Sequence, residues 1–198
     1  MEEAEKRKEI EKKFESPSAL KRKELLEDMK IMSSNEIVEI KKLDEEDLEE
    51  VVKLMRKALF EIGTKEMKEI KDILNHGHSY GAYVDRFIIG VGLAFPIYFD
   101  RSEKTFDSEE APNALYMEDA AVLIDYQGKG VIEMLVEERE KESKVNGLEY
   151  VVGISGDRIP GDIRTEIEKG GTLMQKKYLQ LNYRFANTDN GLVAFKRV

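Results

Sequence analysis

The chain has 198 residues, with 32 Lys and Arg against 41 Asp and Glu, a formal net charge of -9 and no Cys. That length provides one domain of ordinary size with some extra and a core that needs no staple, while the missing Cys excludes a disulfide framework, a thiolate zinc site, an iron–sulfur cluster and a catalytic cysteine. The acidic balance argues against nucleic acid, whose nonspecific binding needs cations on the protein, and no apolar run approaches the ~20 residues of a membrane span.

Residues 1–34 read as a charged helical arm, set apart from a domain over 35–198. Its start, MEEAEKRKEI, has no secretory apolar core, so the expected compartment is the cytoplasm. A serine and proline at Ser16-Pro17-Ser18 mark a fresh helix start, and Leu20, Leu25, Leu26, Met29 and Met32 form a modest stripe. A solvated arm is the plain reading. An oligomerisation arm, as in a homodimer, or a lid over a site is the sharper one.

From Glu36 the hydropathy pattern alternates. EIVEIKKL predicts a strand with Val38 and Ile40 on one face. Asp44 caps a helix whose Leu48, Val51, Val52, Met55 and Leu59 recur at helical spacing, and Gly63 ends it. A second helix carries Met67, Ile70, Ile73 and Leu74. Two strands, SYGAYV and FIIGVGLAFPIYF, flank Asp85-Arg86 at hairpin length. The second is nearly all apolar and so central in a sheet, and Pro96 predicts a bulge or an edge. Residues 100–113 read as a polar loop, ALYMEDAAVLI as a strand, VIEMLVEEREKESKV as a helix and LEYVVGIS as a strand. Then come a Gly- and charge-rich loop over 156–170 with room for a helical turn, a helix in LMQKKYLQL, and a closing hairpin around Thr188–Asn190.

The most informative segment runs from that strand through Gln127-Gly128-Lys129-Gly130 straight into a helix. Glycines there admit close approach of a ligand, and the first helical amides, with the dipole and Lys129, form an anion site. A plain glycine turn is the alternative. The third glycine of a dinucleotide fingerprint and the lysine pattern of a Walker loop are both missing.

The order strand, Tyr-Gln-Gly-Lys-Gly, amphipathic helix resembles the acetyl-CoA loop of the GNAT acyltransferase superfamily, with its Q/R-x-x-G-x-G/A met by Gln127 and Gly130. Downstream, Tyr178-Leu179-Gln180-Leu181-Asn182-Tyr183 resembles the superfamily's Tyr-x-x-x-Gly-Phe element, with Asn182 in place of Gly. The element order from Glu36 to Val198 matches as well, about four-fifths of the chain. Two departures stand out: Ile132 occupies a Gly or Ala position, where a branched side chain would crowd the pyrophosphate, and Gly171 occupies an Asn position.

The resemblance implies an α/β GNAT fold, a mixed, mostly antiparallel sheet flanked by helices. It also implies an acetyl-CoA-dependent N-acetyltransferase acting on a small-molecule or peptide amine, with no metal. Val122 and Leu123 would offer backbone groups to the pantetheine arm. Gln127, Gly128, Lys129, Gly130, Val131 and Ile132 would hold the pyrophosphate. Tyr178 would protonate the departing thiolate. An ammonium with a pKa near ~10.4 must lose a proton first, and Glu118 is the candidate base. It shares a face with Tyr116, Ala120 and Val122 in a regular strand, with Asp119 opposite unless a bulge swaps them. Ordered water is the third option for that proton. A GNAT-like module that binds CoA without catalysis is the alternative function, and a structural protein acting through residues 1–34 is another. His76-Gly77-His78 reads as ordinary loop residues, since a metal site would need a third ligand.

Overall fold

A computed structural model describes residues 37–59 and 67–198. The predicted arm over 1–34 and the helix end at Gly63 lie outside the described residues. Strand β1 (Val38–Lys42) leads through a capping box at Asp44 and a 3-10 turn into α1 (Leu48–Ala58). Then follow α2 (Met67–Asn75), β2 (Tyr80–Val84), β3 (Phe87–Asp100), β4 (Thr105–Asp107), β5 (Ala114–Val122), α3 (Val131–Val145) and β6 (Tyr150–Ile154). The chain closes with α4 (Ile163–Gly170), α5 (Leu173–Gln180), β7 (Arg184–Thr188) and β8 (Gly191–Arg197). The eight strands make one sheet in the order β1-β2-β3-β5-β6-β8-β7, with β4 added against β3. Every pairing is antiparallel except β5 with β6.

Among the described residues, three apolar clusters hold the layers. Val51, Val52, Met55, Ile70 and Leu74 of α1 and α2 pack on Val91 and Leu93. Val136 and Tyr178 of α3 and α5 pack with Ala94, Leu115, Met117 and Val151. Neighbouring residues on a strand point to opposite faces, so the two helix pairs cover opposite sides of the sheet. Phe99, Tyr150, Val152 and Phe195, joined by Phe106 of β4, fill the first side beyond the reach of α1 and α2. Each fully buried aliphatic side chain contributes roughly 1.5–3 kcal/mol, so the clusters suffice without a staple.

Two loop expectations are corrected. Residues 105–107 of the polar loop form β4, because Phe106 reaches Phe99 and Tyr116, at ring distances of 5.5 and 5.3 Å. The segment 156–170 contains a full two-turn helix, α4, capped by Asp162. Pro96 does not mark the irregularity in β3. It pairs with Leu115 of β5 while the register shift lies between Gly92 and Ala94, so the bulge half of the expectation is corrected and the edge half holds. The β2 ladder ends at Gly92, so the missing amide of Pro96 is not needed on that side.

Glu142 of α3 ties the helix to β1 and β2. It accepts from Lys42 Nζ at 2.7 Å and Tyr80 Oη at 2.7 Å, and His78 Nδ1 lies 3.2 Å away. Burial alone would raise its pKa, but these partners outweigh it and bring the carboxyl to about 2. The folded pKa is therefore depressed. Its stabilisation is complete above the unfolded value of ~4.3 and is lost as pH falls from there toward about 2. Glu142→Gln should lower stability at neutral pH by about 2 kcal/mol and flatten the acid limb of a denaturation profile taken between pH ~5 and ~2. An unchanged acid limb would count against the assignment.

Candidate active site

Strands β5 and β6 run parallel but pair only over Ala114–Tyr116 with Tyr150–Val152. Beyond that point they separate, and a pocket of about 200 Å³ opens in the gap. It is lined by Met117, Glu118, Asp119 and Ala120 of β5, by Ile154 and Ser155 at the end of β6, and by Arg139, Thr172, Met174 and Tyr178 from α3 and α5. Gln175 fixes this geometry: its Nε2 donates to Ser155 O at 2.6 Å, while Thr172 and Gln175 form the capping box of α5. Gly171 suits the α4–α5 junction because an added Cβ would stand 2.7 Å from the carbonyl oxygen of Ile167.

The bulge that would exchange Glu118 and Asp119 is present. Gly92 opposes Ala120 and Ala94 opposes Met117, so two residues of β5 face Leu93 alone. The expectation that Tyr116 and Val122 share a face is corrected by that extra residue. Tyr116 packs on Phe95 and Phe106, at 5.1 and 5.3 Å between rings, whereas Val122 sits beside Gly90, Val131 and Leu135 of the opposite side. Glu118 and Asp119 both line the pocket, and both lie close enough to Tyr116 to raise its phenol. Burial is the larger cause, and the phenol is pushed up to about 12.

At the other end of β5, Leu123 donates its amide to Ile89 O at 2.9 Å. Ladder alternation therefore turns the Val122 amide away from β3 and toward the open gap. Leu123 is engaged with β3, and its side chain packs with the α1–α2 cluster. Gln127 Nε2 donates to Val122 O at 3.0 Å, which fastens the loop to the strand. Gly128 and Gly130 both take left-handed conformations, with φ of 77° and 84°. Gly130 is the N-cap of α3 and makes no side-chain cap bond, so the amides of the first turn, Val131 and Ile132 among them, lack an intrahelical acceptor. The Lys129 ammonium lies 4.9 Å from the centre of the Tyr126 ring. The partly buried Ile132 side chain packs against the cluster that holds Met117, Val136 and Tyr178.

Tyr178 is buried, with its ring 4.8 Å from that of Tyr183. Burial raises the phenol above its ordinary value, and the nearby Arg139 guanidinium opposes that shift. Asn182 ends α5 in the left-handed region, φ 65°. The bonds Asn182 N to Leu179 O and Tyr183 N to Tyr178 O complete a Schellman motif. This is the conformational reason Asn can stand where Gly is usual. Sequence reasoning missed Arg139, Ser155, Thr172 and Met174. Arg139 was legible only as one charge in a charged helix, and the other three reach the pocket through tertiary packing. His78 faces Glu142 and His76 stacks near Phe95 at 6.0 Å; no group of three or more His, Cys, Asp or Glu able to hold a metal occurs among the described residues. No helix among them is long and apolar enough to cross a membrane.

A parallel strand pair that parts over a pocket, with a glycine-capped helix after the first strand, defines an acyltransferase-type α/β fold. The chain belongs to the acetyltransferase (GNAT) family, whose model matches residues 46–157, over half of its length. No curated protein matches the sequence. Among solved structures it is similar to the loading GNATL domain of CurA from Lyngbya majuscula, at 14% identity and a TM-score of 0.64 over 81% of this chain and 98% of that one. It is also similar to the PaiA N-acetyltransferase from Thermoplasma acidophilum in complex with coenzyme A (15%, TM-score 0.60, 82% and 99%). A polyamine N-acetyltransferase of Drosophila melanogaster compares at 9% identity and a TM-score of 0.62, over 82% and 100%.

Proposed function

We propose that the protein moves an acetyl group from acetyl-CoA to a primary amine by direct attack in a ternary complex. The observation that carries this reading is the parting of β5 and β6 over a pocket shared by Tyr178, Glu118 and Asp119. The first-turn amides of α3, backed by the helix dipole and Lys129, would hold the pyrophosphate, and the pantetheine arm would run along the outward backbone groups of β5 near Val122. These residues fit the cosubstrate because the uncapped N-terminus at Gly130 is open, with no atom within 4 Å of an added Cβ.

The amine attacks the thioester carbon as its proton passes to Glu118 or Asp119, both in the pocket wall, or to water. The C–S bond breaks with its electron pair on sulfur, and Tyr178 supplies the proton that makes the free thiol. The phenolate left behind is reprotonated from water. The two carboxylates that line the pocket, Glu118 and Asp119, would favour a cationic acceptor. The diaminobutyrate acetyltransferase of Paenibacillus lautus, also similar in fold, was solved with such an amine and coenzyme A. Calorimetric titration with acetyl-CoA, and separately with CoA, tests the reading. Saturable one-site binding is expected. No heat and no thermal stabilisation at millimolar ligand would sink it.

A further inference from the structure

Arg139 is the largest fully buried side chain among the described residues, at 1% exposure. Its Nε donates to Leu135 O at 3.0 Å and its Nη1 to Leu93 O at 3.2 Å. Its Nη2 is buried with no hydrogen-bond partner. Among the described residues it forms no ion pair; the ionisable groups acting on it are the phenols of Tyr178 and Tyr183. A guanidinium stays charged, and a buried charge without a counter-ion is costly. The sheet makes room for it: a Cβ at Gly92 would come within 2.8 Å of Cζ. Gly92 lies opposite Ala120, at the edge of the β5 bulge. The charge therefore lies in the pocket wall that also holds Tyr178, close enough to act on its phenol.

We propose that Arg139 is a positioning residue for the leaving-group half of the reaction: its unpaired guanidinium sets a positive potential across Tyr178 at the place where C–S cleavage puts negative charge. The proposal rests on the acetyl-transfer reading above. During transfer the electron pair of the broken bond goes to sulfur and the proton of Tyr178 follows. Sulfur and then the phenol oxygen carry negative charge in a dry site, where a fixed positive charge is most effective. In the ground state no anion stands there, so the stabilisation is confined to the transition state and to the thiolate and phenolate formed from it.

The test uses the full chain loaded with CoA, reading the bound thiol through its ultraviolet thiolate absorbance as pH is raised. In the wild type the thiol should ionise about tenfold more readily than in Arg139→Gln, and Arg139→Lys should restore part of the difference. Turnover with an amine acceptor should fall roughly 10- to 100-fold in Arg139→Gln, with CoA affinity kept. The loss should nearly vanish when Tyr178→Phe is already present, since the two act as one unit. A purely structural arginine would lower thermal stability and leave the thiol titration unmoved, and that result overturns the proposal. Should Arg139→Gln fail to fold, Gly92→Ala displaces the guanidinium and must move the titration in the same direction; no movement is equally fatal. A wild-type protein that does not bind CoA sinks the acetyl-transfer reading and this proposal together, whereas binding with an unmoved titration sinks this proposal alone.

Discussion

Replacing Tyr178 with Phe should reduce turnover about 100-fold or more, the usual loss when a positioned proton donor is removed, while leaving the dissociation constant for CoA unchanged. The separation comes from what the side chain does. Its ring packs against Tyr183 and the cluster of Met117, Val136 and Val151, and Phe keeps that packing, so the fold and the cosubstrate site should persist. Only the hydroxyl is lost. The wild-type pH profile should agree: burial holds the phenol above its ordinary value, so the donor stays protonated through neutral pH. No alkaline fall in kcat from this group should begin below pH ~10. Steady-state kinetics and calorimetry on both proteins decide the matter. Full turnover in the Phe variant would mean that the thiolate leaves without help from this residue.

Periodicity carried most of the fold, because the strands and helices that matter are strongly patterned. Leu48, Val51, Val52 and Met55 repeat at helical spacing and all face one cluster. The near-continuous apolar run of β3 marks a strand with β2 on one side and β5 on the other. What the pattern could not carry was register. The sense of Glu118 and Asp119 depends on one extra residue in β5, and nothing in MEDAA says where a strand slips. Pro96 was legible as an edge position, because a missing amide is harmless where β2 has already ended, but it said nothing of the register shift at Gly92. Arg139 illustrates a second limit. In VEEREKES it reads as solvated, yet it is buried, because Gly92 on a distant strand leaves the space it fills. Backbone conformation was legible: the left-handed glycines of the loop and the Asn182 helix end both lie where residue type alone would put them.

Gly130→Val should weaken CoA binding by at least tenfold, and a control within the same helix separates the two reasons for it. Gly130 has φ 84° and no atom within 4 Å of an added Cβ, so the β-carbon itself meets no clash. Two costs remain. A β-branched residue held left-handed is strained by roughly 1–3 kcal/mol, and its methyls would occupy the space in front of the first-turn amides of α3 where a pyrophosphate would come closest. Gly147, just past the other end of α3, shares the first cost and not the second. Its φ is 70° and its added Cβ is likewise unopposed. Gly147→Val should therefore lose a similar amount of thermal stability and keep its CoA affinity. Thermal melts and calorimetry on the pair give four numbers. Matched destabilisation with affinity lost only at Gly130 locates the pyrophosphate at the glycine loop; equal affinities in the two variants would move the cosubstrate elsewhere, because strain alone would then account for everything Val does at either end.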